Sequence, residues 1–255
     1  VGPGVGGLIW IAGEAGIGNS RLLREFVAMA SAAGLRVWAG QCSAQKTGHA
    51  FALMTDLLNH VFGAQSADTP DQIRRKLRQT LSQWPPEAQA TRPYLEMVVG
   101  LQPSDPEGER LSGLEPDQLR QQMFVALRGL LKSMAADQPL AVLLDDLHWL
   151  DSVSAELLVF LSNLIASAPI LLVCALRWDE AETPDDRAFK VQSTLRPAQA
   201  LRLYLDRLSE AETEALLSEL LSTPEPPTAL STLVLERSEG NPYYGTALLW
   251  DDGII

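Results

Sequence analysis

Five apolar runs along the chain have the length and composition of buried β-strands, and amphipathic segments separate them. The runs cover residues 8–12, 35–42, 140–144, 170–177 and 201–205. A run that is apolar at nearly every position is typical of a strand whose two faces are both covered. The pattern therefore predicts an α/β fold with a five-stranded, mostly parallel sheet and helices on both of its faces.

Apolar residues recur at helical spacing between these runs, which predicts helices at 20–33, 50–62, 69–83, 116–136, 152–167 and near 185–195. Residues 91–101 are apolar but interrupted, and the prolines and glycines of 103–113 indicate a loop. After residue 205 the strand pattern stops, and three further helices are expected at 210–221, 228–238 and from 242 onward. The chain thus divides into an α/β core over 1–206 and a small, truncated all-helical subdomain over 207–255.

A glycine-rich turn joins the first strand to the first helix, with the sequence Gly13-Glu14-Ala15-Gly16-Ile17-Gly18-Asn19-Ser20. It fits the phosphate-binding loop G-x-x-x-x-G-K-[ST] at every fixed position except the lysine, where Asn19 stands. In such a loop, backbone N–H groups and the helix dipole hold phosphate, and the hydroxyl of Ser20 is placed to ligate Mg²⁺. A glycine turn without a ligand is the alternative, but the flanking strand and helix favour the phosphate loop.

Asn19 is the departure from the motif that matters for function. The usual lysine carries a positive charge to the β and γ phosphates, whereas asparagine is shorter and uncharged. Losing a charge-assisted hydrogen bond of about 1.5–3 kcal/mol weakens binding by roughly 10- to 150-fold, and hydrolysis suffers more. We expect residue 19 to face the ligand and not the core, so the fold is unaffected. An engineered knock-out, natural decay or a sequence error would each account for it.

The third apolar run ends in Asp145 and Asp146, at the strand end where ligands bind in parallel sheets. An acid in this position, downstream of a phosphate loop, can hold Mg²⁺, and the next can orient or deprotonate a water molecule. The alternative is an acidic turn that caps the following helix. We assign that capping role to Asp151 instead, which immediately precedes the predicted helix.

Composition restricts the classes of function. The chain has 255 residues, 46% of them apolar, and a net charge of −12, which argues against a broad nucleic-acid surface. The basic residues of 69–83 either form a solvated helix face or contact phosphate; they are Arg74, Arg75, Lys76 and Arg78. Cys42 and Cys174 lie in apolar runs and are expected to be buried thiols.

Neither a signal peptide nor a membrane-length apolar run occurs in the sequence, so we expect a cytoplasmic protein without membrane contact. The chain starts without Met, almost on its first strand, and is expected to be a piece of a longer protein.

Four segments together resemble the hallmark segments of STAND-class AAA-type P-loop ATPase domains, as in large LuxR-type transcriptional regulators and class III adenylate cyclases. They are residues 13–22, 143–151 (LLDDLHWLD), 175–177 (ALR) and 236–244 (ERSEGNPYY). The resemblance extends from residue 6 to 249 and is poorest over 63–118. The family's preceding G-R-x-x-E-L segment, which touches the base, is absent from this sequence.

The resemblance implies roles for individual residues. Residues Gly13 to Arg21 would be the Walker A loop around the triphosphate of ATP or ADP. Asp145, with Ser20, would hold Mg²⁺, and Asp146 would be the candidate base. Arg177 would be the sensor near the γ-phosphate, Pro242 would lie against the adenine, and the tail would be the helical lid.

The aromatic residues of two hallmark segments each have two possible roles. His148 either packs the turn after the third strand or contacts the γ-phosphate or a neighbouring acid. Tyr243 and Tyr244 either line the adenine site or bury the last helix.

The resemblance therefore predicts a regulatory ATP-Mg²⁺ switch that signals to output or sensor domains of the same longer chain and can self-associate with nucleotide. A degenerate, nucleotide-free domain that serves as an interaction scaffold is the alternative. An initiator-type ATPase acting on DNA is disfavoured, because the chain is acidic and lacks a recognisable helix-turn-helix.

Overall fold

A five-stranded parallel sheet forms the centre of the protein. The computed structural model describes residues 6–102, 113–177, 187–195 and 200–251, together with Pro106, Arg110 and Leu111. The strands are ordered β2-β3-β4-β1-β5, and every strand pair is parallel. Their bounds are β1 (Gly7–Gly13), β2 (Arg36–Gln41), β3 (Leu140–Asp145), β4 (Ile170–Arg177) and β5 (Ala200–Leu205). The predicted α/β P-loop fold is confirmed.

Helices alternate with the strands in the core and follow one another after β5. Those of the core are α1 (Asn19–Ala32), α2 (Ala52–Phe62), α3 (Pro70–Leu81), α4 (Pro86–Gln89), α5 (Arg92–Val98), α6 (Pro116–Asp137), α7 (Ser152–Ser167) and α8 (Arg187–Thr194). Those of the tail are α9 (Glu210–Leu221), α10 (Thr228–Ser238) and α11 (Pro242–Asp251). Short 3₁₀ turns lie at Ala44–Lys46 and Leu147–Trp149. Most of the loop predicted at 103–113 lies outside the described residues.

The predicted helices are found within one or two residues of their expected bounds, and local signals explain their ends. Thr69 and Ser209 each form a capping box with the residue three positions on, Gln72 and Glu212. The interrupted apolar stretch 91–101 contains α5, because its proline falls in the first turn, where a missing N–H costs nothing.

Alternate residues of the central strands enter two separate hydrophobic layers. Leu140, Val142 and Leu144 of β3 point to a large layer under α2, α3, α6 and α7. Ala141 and Leu143 point to a thinner layer that α1 covers with Leu23 and Ala30. Leu22, an apolar residue of the same helix, is 36% exposed and lies outside this layer. Because helices cover both layers, the central strands are apolar at nearly every position.

The basic face of α3 has a role that neither sequence interpretation anticipated. Arg74 and Arg78 lie 3.8 and 3.6 Å from the carboxylate of Glu96 on α5, and Arg92 contacts the same carboxylate at 3.1 Å. The side chain of Glu96 is only 2% exposed. These arginines therefore neutralise a buried acid and join α3 to α5.

The helices after β5 have a small core of their own, formed by Leu217, Val234 and Leu249. β5 is one of the two edge strands of the described sheet and pairs with β1, and its residues are largely exposed. Within the described ranges, no helix is both long and apolar enough to cross a bilayer.

Candidate functional site

The turn between β1 and α1 has the backbone shape that a phosphate loop needs. Gly16 and Gly18 have φ values of 82° and 113°, in the left-handed region that side chains disfavour. A Cβ on Gly16 would also lie 2.7 Å from the Cβ of Tyr243. Ile17 is buried at 6% exposure and anchors the turn against the core. Gly16 is therefore required by both backbone conformation and close packing, and Gly18 by backbone conformation.

The glycine loop and the acidic end of β3 meet directly, as the sequence predicted. Ser20, in the first turn of α1, donates a hydrogen bond from its Oγ to Oδ2 of Asp145 at 2.7 Å. The other carboxylate oxygen of Asp145 accepts the backbone N–H of Asp146 at 2.8 Å. The two predicted magnesium-ligating side chains thus share one hydrogen bond at the carboxyl edge of the sheet.

Asp146 is held in a different direction from Asp145. Its backbone is left-handed, with φ of 53°, and its carboxylate accepts a hydrogen bond from Nε2 of Gln41 at 2.9 Å. Nε of Arg177 lies 3.6 Å from the same carboxylate, and Nδ1 of His148 lies at 3.9 Å. The side chain is 18% exposed. The predicted base and the predicted sensor are therefore neighbours, although they come from different strands.

Capping of the next helix is left to Asp151, as expected. Its carboxylate accepts the N–H of Ser154 at 2.9 Å and also that of Phe51 at 3.1 Å, so it joins the N-termini of α7 and α2. The ring of His148 packs at a tilt against that of Trp149, with centroids 5.1 Å apart, which fits the packing interpretation, and its Nδ1 also lies 3.9 Å from the neighbouring acid Asp146.

Asn19 lines the cavity, as expected for a position that faces the ligand, but its amide group bonds to the sheet. Nδ2 donates to the carbonyl oxygen of Leu176 in β4 at 3.1 Å, and within the described part of the chain Oδ1 is buried with no hydrogen-bond partner. Asn19 therefore ties the loop to the sheet and brings no positive charge to it.

The tail helices contact the glycine loop. Nδ2 of Asn241 donates to the carbonyl oxygen of Ala15 at 2.9 Å, and the N–H of Tyr243 donates to that of Gly16 at 3.3 Å. These bonds to the tail use loop carbonyl groups and no loop N–H group. Within the loop itself, the N–H of Ile17 donates to the carbonyl oxygen of Glu14 at 3.2 Å.

An arginine after β5 adds ionic contacts at the same junction. Arg207 pairs with Glu14 of the loop at 3.0 Å and with Glu239 at the end of α10. Both acids raise the pKa of this guanidinium, mainly through their hydrogen bonds to it.

These elements enclose a cavity of about 540 Å³, a size within the ordinary range for a small-molecule ligand. Its lining comprises Glu14, Ala15, Gly16, Gly18, Asn19, Ser20, Arg21, Arg24, Asp146, Arg177, Tyr243 and Tyr244. Gly13, Ile17 and Pro242, which were also predicted to bind the nucleotide, are not part of this lining. The aromatic residues that line the cavity beside the loop are Tyr243 and Tyr244, which follow Pro242 in sequence.

The charges around the cavity are mixed. Arg21, Arg24 and Arg177 line it together with the carboxylates of Glu14 and Asp146. The thiol of Cys42 has a pKa raised to about 12. The main cause is burial, followed by the negative charges of Asp151, Asp146, Asp56 and Asp145. Burial also raises the pKa of Cys174. Both cysteines are free and buried, as predicted.

The residues present fit a metal that arrives with a nucleotide. In the part of the chain that the structure describes, no group of three or more His, Cys, Asp or Glu side chains could hold a metal ion by itself. A hydroxyl and one carboxylate are the protein share of a site in which phosphates and water supply most of the ligands, as is usual for Mg²⁺.

Three residues of this region were not predicted from the sequence to belong to the site. Gln41 could have been found, because it ends β2 in register with Asp145 and so lies at the same sheet edge. Arg24 also had a signal, since it follows Ser20 by one helical turn. Arg207 had none, because its partner Glu14 is 193 residues away in sequence.

The family match agrees with this geometry. The family model described as AAA ATPase domain matches residues 1–173, so the chain belongs to that family. The AAA-type resemblance predicted from the sequence segments is thereby confirmed, and its class is that of nucleotide-binding P-loop ATPase domains. The chain is also 29% identical over 230 residues to an uncharacterized protein of Rhizobium meliloti (strain 1021). That match covers 87% of this chain but only 21% of the relative.

Several solved structures are distantly similar. A STAND protein with a tetratricopeptide repeat sensor from Pyrococcus horikoshii is 14% identical, with a TM-score of 0.41 over 93% of this chain and 26% of that one. AMPPCP-bound DnaA from Aquifex aeolicus is 14% identical, with a TM-score of 0.46 over 94% of this chain and 53% of that one. Likenesses this distant assign no residue roles to this chain.

Proposed function

We propose that this chain is the ATP-Mg²⁺-binding switch module, of STAND type, of a larger multidomain protein, and that its hydrolysis is slow or absent because Asn19 replaces the motif's lysine. Its core would span 1–206 and its lid 207–255. ATP or ADP would set the position of the lid, and the output or sensor domains of the same chain, a transcription-regulating one among them, would respond to it.

The observation that carries this proposal is the 2.7 Å hydrogen bond between Ser20 and Asp145 beside a cavity lined by the loop. Ser20 and Asp145 are 125 positions apart in sequence, and they meet where the glycine loop lies against the end of β3. Such a pair is what a magnesium-bearing phosphate chain requires of the protein.

Each side chain then has a distinct task. N–H groups of the loop between Glu14 and Ser20 would bind the phosphates, and Ser20 and Asp145 would hold the metal. Mg²⁺, when bound, would offset the negative charge that develops during phosphoryl transfer. Asp146, oriented by Gln41 and Arg177, is placed to position a water molecule and take its proton. Tyr243 and Tyr244 offer aromatic surface to the base.

The experiment compares ATP-Mg²⁺ binding by this chain and by Asn19→Lys, using calorimetry or thermal shift. We expect Asn19→Lys to bind roughly 10- to 150-fold more tightly, because a charge-assisted hydrogen bond is restored. Only Asn19→Lys should hydrolyse ATP measurably. If neither protein responds to ATP-Mg²⁺, the proposal is wrong.

One observation favours the alternative of a nucleotide-free interaction scaffold. Asn19 is bonded to Leu176 and the N–H of Tyr243 to the carbonyl oxygen of Gly16, so the loop is held in place by contacts within the protein. A scaffold would remain folded and keep its lid contacts whether or not ATP-Mg²⁺ is present, and Asn19→Lys would gain no affinity.

A further inference from the structure

The positive charge that Asn19 lacks has a candidate replacement within the same cavity. Among the arginines that line it, Arg177 lies 3.6 Å from Asp146 and Arg21 lies 3.7 Å from Glu219 on α9. Arg24 differs from both. Its Nε donates to the carbonyl oxygen of Ser20 at 3.4 Å, and no carboxylate of the described residues lies within ion-pair distance of it.

Arg24 lies near the place where the terminal phosphate of a nucleotide would bind. It follows Ser20 by one turn of α1, on the side of the helix that faces the end of β3. It lines the main cavity and also an adjoining one of about 330 Å³, whose lining includes Ser20, Gln41 and Asp145. A guanidinium at this junction lies beside the metal-binding end of the site, and that end takes the terminal phosphates of a nucleotide.

The chemistry of the side chain suits this position. Arginine is always charged, its planar group can give two parallel hydrogen bonds to a phosphate, and its length spans the first turn of a helix. Because Nε donates to a backbone carbonyl, the side chain is oriented, and no contact with another described residue engages its terminal amino groups.

We propose that Arg24 binds the terminal phosphate of a nucleoside triphosphate and supplies the charge that the motif's lysine would otherwise provide. This inference rests on the proposed function, since it requires the cavity to accept such a ligand. It assigns Arg24 as the residue that distinguishes triphosphate from diphosphate in this chain.

The test measures dissociation constants for ATP-Mg²⁺ and ADP-Mg²⁺ by calorimetry on the parent chain, Arg24→Gln and Arg24→Lys. We expect Arg24→Gln to weaken ATP binding by about 10- to 100-fold, ADP binding by less than about threefold, and Arg24→Lys to recover part of the loss. Arg75→Gln is the matched control, because Arg75 is an exposed helical arginine of α3 that lies outside the lining of the cavity. It should change ATP binding by less than about threefold.

A second comparison uses the lysine itself. If Arg24 and a lysine at position 19 serve the same phosphate, Arg24→Gln should cost at least about threefold less affinity in the Asn19→Lys background than in the parent. Melting temperatures of all variants should match, since Arg24 is exposed. If Arg24→Gln does not fold, Arg24→Lys is used for the test instead. A ratio of ATP to ADP affinity below that of the parent supports the inference, and a ratio equal to that of the parent overturns it.

The remaining outcomes separate this inference from the proposed function. If the parent binds ATP-Mg²⁺ and Arg24→Gln binds it within twofold, or loses ATP and ADP equally, Arg24 has no such role although the nucleotide site is real. If only Asn19→Lys binds, Arg24 does not compensate and the inference is wrong. If no variant binds, the proposed function and this inference both fail.

Discussion

Glu96 and the Asp145–Asp146 pair are both carboxylate sites, but the protein neutralises them to different degrees. Glu96 is almost fully buried and has three arginines within 3.8 Å. Among the residues that the structure describes, Asp146 has one arginine at 3.6 Å and borders an open cavity, and the hydrogen-bond partners of Asp145 are a serine hydroxyl and a backbone N–H.

This difference separates a structural charge from a functional one. A buried acid that supports the fold must be compensated by the protein at all times, because unpaired burial is costly. Acids that bind a metal must remain under-compensated until the ligand brings its own charge. By this criterion Glu96 belongs to the fold and Asp145 to the site.

The largest effect that would test the comparison is expected at Asp145. In the Asn19→Lys background, Asp145→Asn should lower ATP hydrolysis by about 100-fold or more, because a metal contributes several kcal/mol to phosphoryl transfer. The melting temperature should hardly change, since the acid is not balanced by a protein cation.

Asp137→Asn provides the control for Asp145→Asn. Asp137 pairs with Arg36 at 2.8 Å on the surface at the other end of the sheet, and its loss should leave hydrolysis intact. If Asp145→Asn destabilised the fold as strongly as a change at Glu96, the distinction between the two acids would be lost.

A smaller but clear effect is expected at Glu96. Glu96→Ala removes the common partner of three arginines and should reduce the free energy of unfolding by about 2 kcal/mol. The value lies below the usual range for broken buried pairs, because the arginines are partly exposed and can turn to water. The melting temperature should fall by roughly 4–8 °C.

Glu214→Ala, on the exposed face of α9, is the matched control for Glu96→Ala and should shift the melting temperature little. Affinity for nucleotide, measured well below the transition, should be the same in Glu96→Ala and the parent. A loss of affinity in the folded variant would connect α5 to the site and contradict the comparison.

The smallest effect concerns Cys42, whose thiol lies behind the under-compensated acids. Its pKa is raised to about 12, so the folded protein keeps the proton that the unfolded chain loses above about pH 9. Stability should therefore fall as pH rises from 9 towards 12, by up to about 1.4 kcal/mol per pH unit from this group. Urea denaturation at pH 8, 9 and 10 measures the slope.

Cys42→Ala should flatten that dependence on pH, although it lowers stability at every pH by leaving a cavity. Other groups, Cys174 among them, contribute to the slope of both proteins equally. Identical slopes in the parent and Cys42→Ala would show that the thiol ionises as easily in the folded state as in the unfolded one.

Much of this arrangement could be predicted from local sequence. The apolar runs located the strands, the capping residues Thr69 and Ser209 located helix starts, and the order of the glycine loop and the acidic strand end implied their meeting at one sheet edge. Such features could be inferred because each depends on residues a few positions apart or on a rule common to all parallel sheets.

The basic face of α3 shows why other features could not be predicted. Its arginines have the same pattern whether they face water, phosphate or an acid, and only the packing of α5 brings Glu96 beneath them. Tyr243 and Tyr244 show the same limit at the site, because the sequence left two interpretations of them open and only the tertiary structure places both in the lining of the cavity.

The sequence by itself determined the parallel α/β fold, the phosphate-type turn and the nearness of that turn to the acidic end of β3, because periodicity and strand ends specify them. The tertiary structure decided where charge is balanced. It turned the amide of Asn19 to Leu176, left Arg24 beside the cavity without an acidic partner among the described residues, and joined Arg207 to both Glu14 and Glu239. Ion pairs and hydrogen bonds between residues far apart in sequence depend on distances in space, and local patterns do not contain those distances.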